Sequence, residues 1–406
     1  MRTADWATMA HTMPEQPQDR KFGVHPDVLK LGLVSFLTDV SSEMIFSVFA
    51  VFFTTVAGAS AALLGLVEGL ADLSASSLNY LAGWLSDRSG RRKGFALAGY
   101  GFSTLAKVIL LVSSSIVGLG LFRVIERLGK SFRGPPRDAW LAAVAGHEHR
   151  GYAFGVHKAL DKSGAVVGPL LAYGLLSWLG EAAATFRLLF WVALVPAILS
   201  IMVLARVKDQ PGTLHPRENL FQTWGTLSPG FRRYLLTAGI FSLAYFSFSF
   251  LLLRAYSVGF AIRDIVLLYA LFNVAAVIAA PLTGALGDRI GRTRMLQLSY
   301  GIYLLMSLGF AFAHAKWQII VLFILFGVFY AIDDAQSKAF IADLEHERRA
   351  SAIGLYNLVT GLIYLPASLI AGALWLLHPA SAFLAAAGIA LLALLVLTHL
   401  HPAGQA

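Results

Sequence analysis

Apolar runs of about twenty residues, each closed by glycine, proline or charge, follow one another along the chain with little polar sequence between them. They predict twelve spans, near 28–56, 62–84, 94–114, 117–143, 152–178, 184–205, 232–254, 263–285, 294–314, 317–343, 351–376 and 380–398. Runs of that length match the hydrocarbon thickness of a bilayer, which a helix crosses with every backbone polar group satisfied internally. The least apolar stretch, Arg206 to Arg233, carries Pro211, Pro216 and Pro229 and divides the pattern in two. The expected organisation is a tail over 1–27, a six-helix bundle over 28–205, a linker over 206–231, a second six-helix bundle over 232–398 and a tail over 399–406.

Composition sharpens this picture. The 406 residues are 57% hydrophobic and 14% charged, against a soluble norm of about 25% charged. Zero cysteines excludes disulfides, thiolate metal sites and cysteine nucleophiles. The first 26 residues are polar and lack the short apolar core of a cleaved leader, so a cytoplasmic tail is expected there. The net charge of +9 does not call for nucleic acid, because the basic residues gather in one set of loops. That set holds Arg20, Lys21, Arg88, Arg91, Arg92, Lys93, Arg150, Arg206, Lys208, Arg217, Arg232, Arg233, Arg289, Arg292, Arg294, Arg348 and Arg349. The alternate set holds little beyond Arg187, Arg263 and Lys316. Positive loops stay in the cytoplasm, which predicts a multi-pass inner-membrane protein with both termini cytoplasmic.

The two halves share short motifs. Gly83-Trp84-Leu85-Ser86-Asp87-Arg88-Ser89-Gly90-Arg91-Arg92 returns as Gly284-Ala285-Leu286-Gly287-Asp288-Arg289-Ile290-Gly291-Arg292, with Asp288 lying 201 residues after Asp87. His147 to Gly155 aligns with His346 to Gly354 at an offset of 199. Duplicated bundles are a transporter architecture, with the site expected between the halves. Gly83 permits close helix approach, and Gly90 a tight turn. Asp87 can accept hydrogen bonds from arginine or from a helix start.

The doubled loop resembles the signature of the major facilitator superfamily, and the resemblance covers nearly the whole chain. Arg123-Val124-Ile125-Glu126-Arg127-Leu128-Gly129 in span 4 resembles that superfamily's R-x-x-Q-G-x-G, with Glu for Gln and Arg for Gly. Gly155, Gly164, Gly168 and Pro169 in span 5 are similar to its antiporter signature, although the closing Gly-Gly is here Ala172-Tyr173. The resemblance implies an all-α fold of two six-helix bundles, with a cavity lined by spans 1, 4, 7 and 10. It implies a cytoplasmic latch at Asp87 and, more weakly, Asp288, and a role for Arg123 in proton transfer. The span-5 glycines point to export. The plainer alternatives are loop charges that only set topology and glycines that only pack helices.

Charge inside the membrane marks the candidate site. Asp39 and Glu43 lie one turn apart on span 1, as do Glu68 and Asp72 on span 2. Arg123, Arg127 and Lys130 form a stripe on span 4, with Lys107 on span 3 and Lys158, Asp161 and Lys162 on span 5. Each such ion costs about 3 kcal/mol at mid-membrane unless it pairs or meets water. Structural pairing would join Asp39 or Glu43 to Arg123 or Arg127, and Glu68 or Asp72 to Lys107. The functional alternative places a proton on one carboxylate of a wet cavity, with Asp39 first and Glu43 and Asp72 next. An Arg133–Asp334 pair between spans 4 and 10 is a candidate for closing the cytoplasmic end. The aromatic residues of span 7 (Phe241, Tyr245, Phe246, Phe248, Phe250) could supply apolar contact at the site, but such a stripe is expected mainly to face lipid.

Other motifs carry no chemistry. Gly129-Lys130-Ser131 lacks the first glycine of a phosphate loop, Val124 standing in its place. His147-Glu148-His149 lacks the second zinc-binding histidine one turn on, and His399 and His401 make at best a weak surface metal site. No metal, cofactor or enzymatic nucleophile is expected. The expectation is a monomeric secondary transporter, exchanging protons for a small exported solute. The alternative is proton-coupled uptake of an organic anion or metal chelate such as a siderophore, and a non-transporting membrane sensor stands third.

Overall fold

The computed structural model describes residues 24–113, 115–145, 150–209, 227–345 and 349–400. The expected tail up to residue 23, linker residues 210–226, His147 to His149 and the end from His401 lie outside them, as do the side chains of Asp87 and Arg88. Among the described residues, twelve helical spans run in sequence order. Span 1 is Pro26–Val51, continued by a wider turn over Phe52–Val56; spans 2 to 6 are Ala61–Ser89, Arg92–Val112, Ile116–Ala145, Arg150–Leu179 and Ala183–Ala205. Span 7 consists of Pro229–Ala244 and Ser249–Ser257; spans 8 to 12 are Ile262–Ile290, Arg292–Phe312, Lys316–Leu344, Arg349–Leu377 and Pro379–Leu400.

Ten of these, among the described residues, are long and apolar enough to cross a membrane on composition alone. Spans 4 and 5 fail that measure because they carry the charges listed above. Their polar faces need an aqueous or protein environment, and packing within the bundle supplies it. Large apolar side chains such as Trp191, Val195, Ile278, Leu282 and Leu305 stay exposed on the outer surface, where lipid is the solvent.

The loop glycines act as the motif predicts. Gly90 and Gly291 both have positive φ, 65° and 93°, and each ends a long span within two residues of the next. A Cβ on Gly284, by contrast, would meet open space, so close helix approach does not explain that position.

Span 7 departs from the continuous helix expected over 232–254. It breaks at Tyr245–Phe248, and the Tyr303 hydroxyl donates to the Ala244 carbonyl at 2.7 Å, satisfying a group the break releases. Neither glycine nor proline marks the break. Aromatic packing occupies it instead: Tyr245 lies 5.4 Å from Tyr364 and 5.8 Å from Phe329 by ring centroid.

Within the first half, span 1 packs on spans 5 and 6, and span 4 on spans 2 and 3. The halves meet where span 2 packs on span 11 and span 5 on span 8. The first of these seams is built from small residues. A Cβ on Gly69 would lie 3.1 Å from the Leu365 carbonyl oxygen, and one on Gly372 2.9 Å from that of Ala61.

Candidate functional site

Between the halves lies a cavity of about 630 Å³. Spans 1, 4, 7 and 10 line it, as the duplicated architecture predicts, and so do faces of spans 2, 5, 8 and 11. Asp39, Glu43, Asp72, Arg123, Arg127 and Lys130, chosen from sequence, all stand on its wall.

The ion pairs follow helix adjacency. Span 2 packs beside span 4, so its carboxylates meet the arginines there. Arg123 donates from Nε and Nη2 to the two oxygens of Glu68, 2.9 Å each, and its Nη1 lies 3.4 Å from Glu126. Arg127 pairs with Asp72 at 3.3 Å, and Lys130 reaches Glu43 on span 1 at 3.8 Å. The expected pairing of Glu68 or Asp72 with Lys107 is therefore not formed; Lys107 donates to Ser42 at 3.1 Å. Nor does Arg123 or Arg127 pair with Asp39 or Glu43. Asp39, 7% exposed, has no ion pair or hydrogen bond to a described residue.

Two hydroxyls carry this network across to the second half. Ser249 donates to Glu68 at 3.0 Å, and Tyr269 donates to Glu43. Phe46 packs against the rings of Tyr269 and Phe248, at 5.4 and 6.4 Å between centroids. Beyond them, the Arg263 N–H donates to Glu181 at 2.9 Å. These contacts close the end of the cavity away from the basic loops. Toward those loops the lining runs out to Lys158 (66% exposed), Asp334 (54%) and Lys338 (50%), so the cavity opens on that face.

Arg133 and Asp334 do not meet. Arg133 is buried toward span 3, donating to Ser103 at 2.6 Å with its guanidinium 4.6 Å from the Tyr100 ring centre, while Asp334 binds Lys338 at 2.5 Å. An open face is where a closing pair must be apart. Arg137, also on the wall, donates to Ser35 at 3.1 Å, and that hydroxyl lies 2.9 Å from His157 Nε2, joining spans 4, 1 and 5.

The two halves present unlike walls. Charge lines spans 1, 2, 4 and 5, whereas Tyr245, Phe248, Tyr269, Phe272, Phe326, Tyr330, Tyr356 and Tyr364 line the other side, together with Asp333, Asp334 and Lys338 of span 10. The expectation that span-7 aromatics mainly face lipid is overturned: Phe241 stacks on Tyr300 at 3.8 Å, Phe250 is fully buried, and Tyr245, Phe246 and Phe248 border the cavity. The break in span 7 turns the last three inward. In the second half Arg254 is buried without a carboxylate partner among the described residues and donates to the carbonyls of Phe310, Ala311 and Ala313, at 2.8, 3.3 and 2.9 Å, at the end of span 9.

Around the second loop motif, Arg292 bridges Asp288 at 2.6 Å, Asp343 at 3.6 Å and Gln336 at 3.2 Å, tying the loop to span 10. Arg91 and Arg289 are exposed. On span 5, Gly164 faces the Phe36 carbonyl and Asp39, and a Cβ on Gly168 would lie 2.6 Å from the Val40 carbonyl oxygen. Gly155 has nothing within 4 Å, and Pro169 sits inside the helix. Sequence reasoning passed over Glu126, Ser249 and Tyr269. The first was open to discovery, since Arg123 and Glu126 have the i, i+3 spacing of a helical pair.

A charged cavity, closed at one end and open at the other between two six-helix bundles, defines a solute transporter. The sequence matches the Major Facilitator Superfamily over residues 31–263 and 234–405, and the chain belongs to that family. It is 35% identical over 378 residues to an MFS-type transporter of Methanocaldococcus jannaschii, covering 91% of this chain and 94% of that protein. It is 28% identical over 272 residues to the multidrug resistance protein MdtG of Serratia proteamaculans, covering 65% of each chain. A crystal structure of the nucleoside transporter NupG superimposes with a TM-score of 0.76 at 11% identity, over 92% of this chain and 99% of that one. A bacterial homologue of the human lysosomal transporter Spinster, in an inward-facing, unoccupied conformation, gives 0.68 at 17% identity over 92% and 94%. At such identities these two establish the fold alone.

Proposed function

We propose that the protein exports a small amphipathic solute in exchange for protons, by alternating exposure of the central cavity. One observation carries the coupling: Asp39 stands on the cavity wall free of any ion pair to a described residue. In the first bundle Glu68, Glu126 and Asp72 are committed to guanidinium groups, and Glu43 to Lys130 and Tyr269; in the second, Asp333 also lines the cavity and holds a 3.5 Å hydrogen bond from Ser337. A carboxylate that is already neutralised by a fixed cation gains little from a proton. Asp39, attracted by Lys130 but not paired with it, can bind and release one as access changes. The split cavity supports a solute with both polar and apolar faces. The likeness to a protein named for multidrug resistance supports outward transport.

The test is accumulation in proteoliposomes under an imposed pH gradient, with counterflow measured beside it. Gradient-driven movement of solute against an inward proton flux is expected. Uptake with protons would instead support the symport of an organic anion or chelate, and flux indifferent to pH would remove the proton from the mechanism.

A further inference from the structure

The cavity's charges are not evenly committed. Lys158 binds Asp161 at 3.4 Å, Lys338 binds Asp334, and the arginines of span 4 hold carboxylates or hydroxyls. Lys162 has neither an ion pair nor a hydrogen bond to a described residue. Its ammonium lies 5.8 Å from the ring centre of Tyr330, on span 10 of the opposite bundle. It is half-buried on the cavity wall, where an uncompensated cation is costly. A contact with one aromatic face returns about 1 kcal/mol of that cost. Arg127, also on the cavity wall, keeps its buried Nε without a hydrogen-bond partner among the described residues.

Tyr330 is the near end of a continuous aromatic wall. Its ring is 5.6 Å from Phe272, which is 5.3 Å from Phe326 and 4.9 Å from Phe248. A planar apolar body laid on that wall beside Tyr330 brings its head group to Lys162. On this stretch Lys162 is the cation without an ion pair to a described residue, while Asp333 of span 10 keeps a 3.5 Å hydrogen bond from Ser337.

We infer that the cavity takes an aromatic organic anion, its carboxylate or equivalent head bound by Lys162 and its ring held against Tyr330 and Phe272. The inference rests on the cavity being the transport site and deepens that reading by naming the solute class. Lys162 and Tyr330 belong to opposite bundles, so an anion between them touches both and favours their approach. A dedicated anion anchor here also leaves the Arg123–Glu68 pair intact through the cycle.

The experiment measures equilibrium binding to the purified full-length protein in detergent, by thermal shift and calorimetry. The probes are matched sets on one ring: benzoate, benzylammonium and benzyl alcohol, and the same three head groups on naphthalene. The carboxylates are expected to bind, naphthalene better than benzene, with amines and alcohols at least tenfold weaker. Lys162→Gln should lower carboxylate affinity about tenfold or more while Lys162→Arg largely restores it, as loss of a charge-assisted bond requires. Unchanged thermal stability without probe separates this from misfolding. Equal binding of amines, no binding of any carboxylate, or indifference to Lys162→Gln would overturn the assignment. Failure of proton coupling in vesicles would leave these binding results untouched, so the two readings fail separately.

Discussion

Arg123 holds Glu68 by two parallel hydrogen bonds of 2.9 Å, both partners almost wholly buried, and Ser249 of the opposite bundle donates to the same carboxylate at 3.0 Å. A fork-to-fork pair of this kind is strong where water is excluded, and through Ser249 it is one of the points at which the bundles touch. Removing Glu68 alone would strand a buried guanidinium. Glu68→Ala is expected to destabilise the protein by about 3–5 kcal/mol, whereas Glu68→Leu combined with Arg123→Met should recover most of that loss. Thermal unfolding in detergent reads both. Equal loss in the single and double variants would mean the pair contributes through packing rather than charge.

Asp39→Asn removes the ionisable group while keeping its size. Accumulation driven by a pH gradient should vanish, and counterflow of solute at equal pH should persist. Normal accumulation by this variant would transfer the proton to Glu43 or Asp72, each of which faces the cavity beside a cation.

Span 5 should tolerate change very unevenly. At Gly168 a methyl group meets the Val40 carbonyl oxygen at 2.6 Å and the Met44 nitrogen at 3.0 Å, so Gly168→Ala must push span 1 away. A loss of about 1–3 kcal/mol is expected, the usual cost of overpacking. At Gly155 the same methyl meets nothing, and Gly155→Ala should be neutral or gain up to about 1 kcal/mol from helix propensity. Unfolding midpoints of the two variants provide the comparison, and similar values would contradict the packing described.

Arg292 anchors the second loop to span 10 through Asp288, Asp343 and Gln336. Arg292→Gln is expected to slow turnover several-fold with little change in solute affinity, because the residue lies outside the cavity wall. Asp87→Asn in the first loop should act in the same direction. Steady-state transport kinetics separate the two effects, and an unchanged maximal rate would assign these residues to topology alone.

Solute charge has an electrical consequence. Outward movement of a monoanion against one inward proton carries two charges per cycle, each worth about 2.3 kcal/mol per 100 mV. A potassium diffusion potential that makes the cytoplasmic side negative should then drive export with no pH gradient present. An exported monocation exchanged for one proton would be indifferent to that potential.

Much of the fold was legible because its determinants are local. Hydrophobic runs of bilayer length establish where helices lie, and glycines at 90 and 291 establish where the chain turns, since only glycine adopts such backbone angles freely. The cavity was legible too, at the level of which residues face it: a stripe at i, i+4 and i+7 on span 4 has one direction in any helix. Arg133 shows where this reasoning stopped. Its position on span 4 suggested a partner on span 10, yet rotation of the helix turns it to Ser103 and Tyr100 on span 3.

By itself, then, the sequence determined an all-helical membrane transporter of twelve spans with ionised groups lining its interior, because span length, turn chemistry and facial spacing are properties of single segments. Only the tertiary structure decided that Glu68 rather than Asp39 neutralises Arg123, that span 7 breaks at Tyr245 and turns its rings inward, and that Lys162 is left without a counter-ion among the described residues. Those facts depend on which helix lies beside which, at what height and in what rotation. Such relations arise from packing over more than a hundred residues of separation, and no local pattern encodes them.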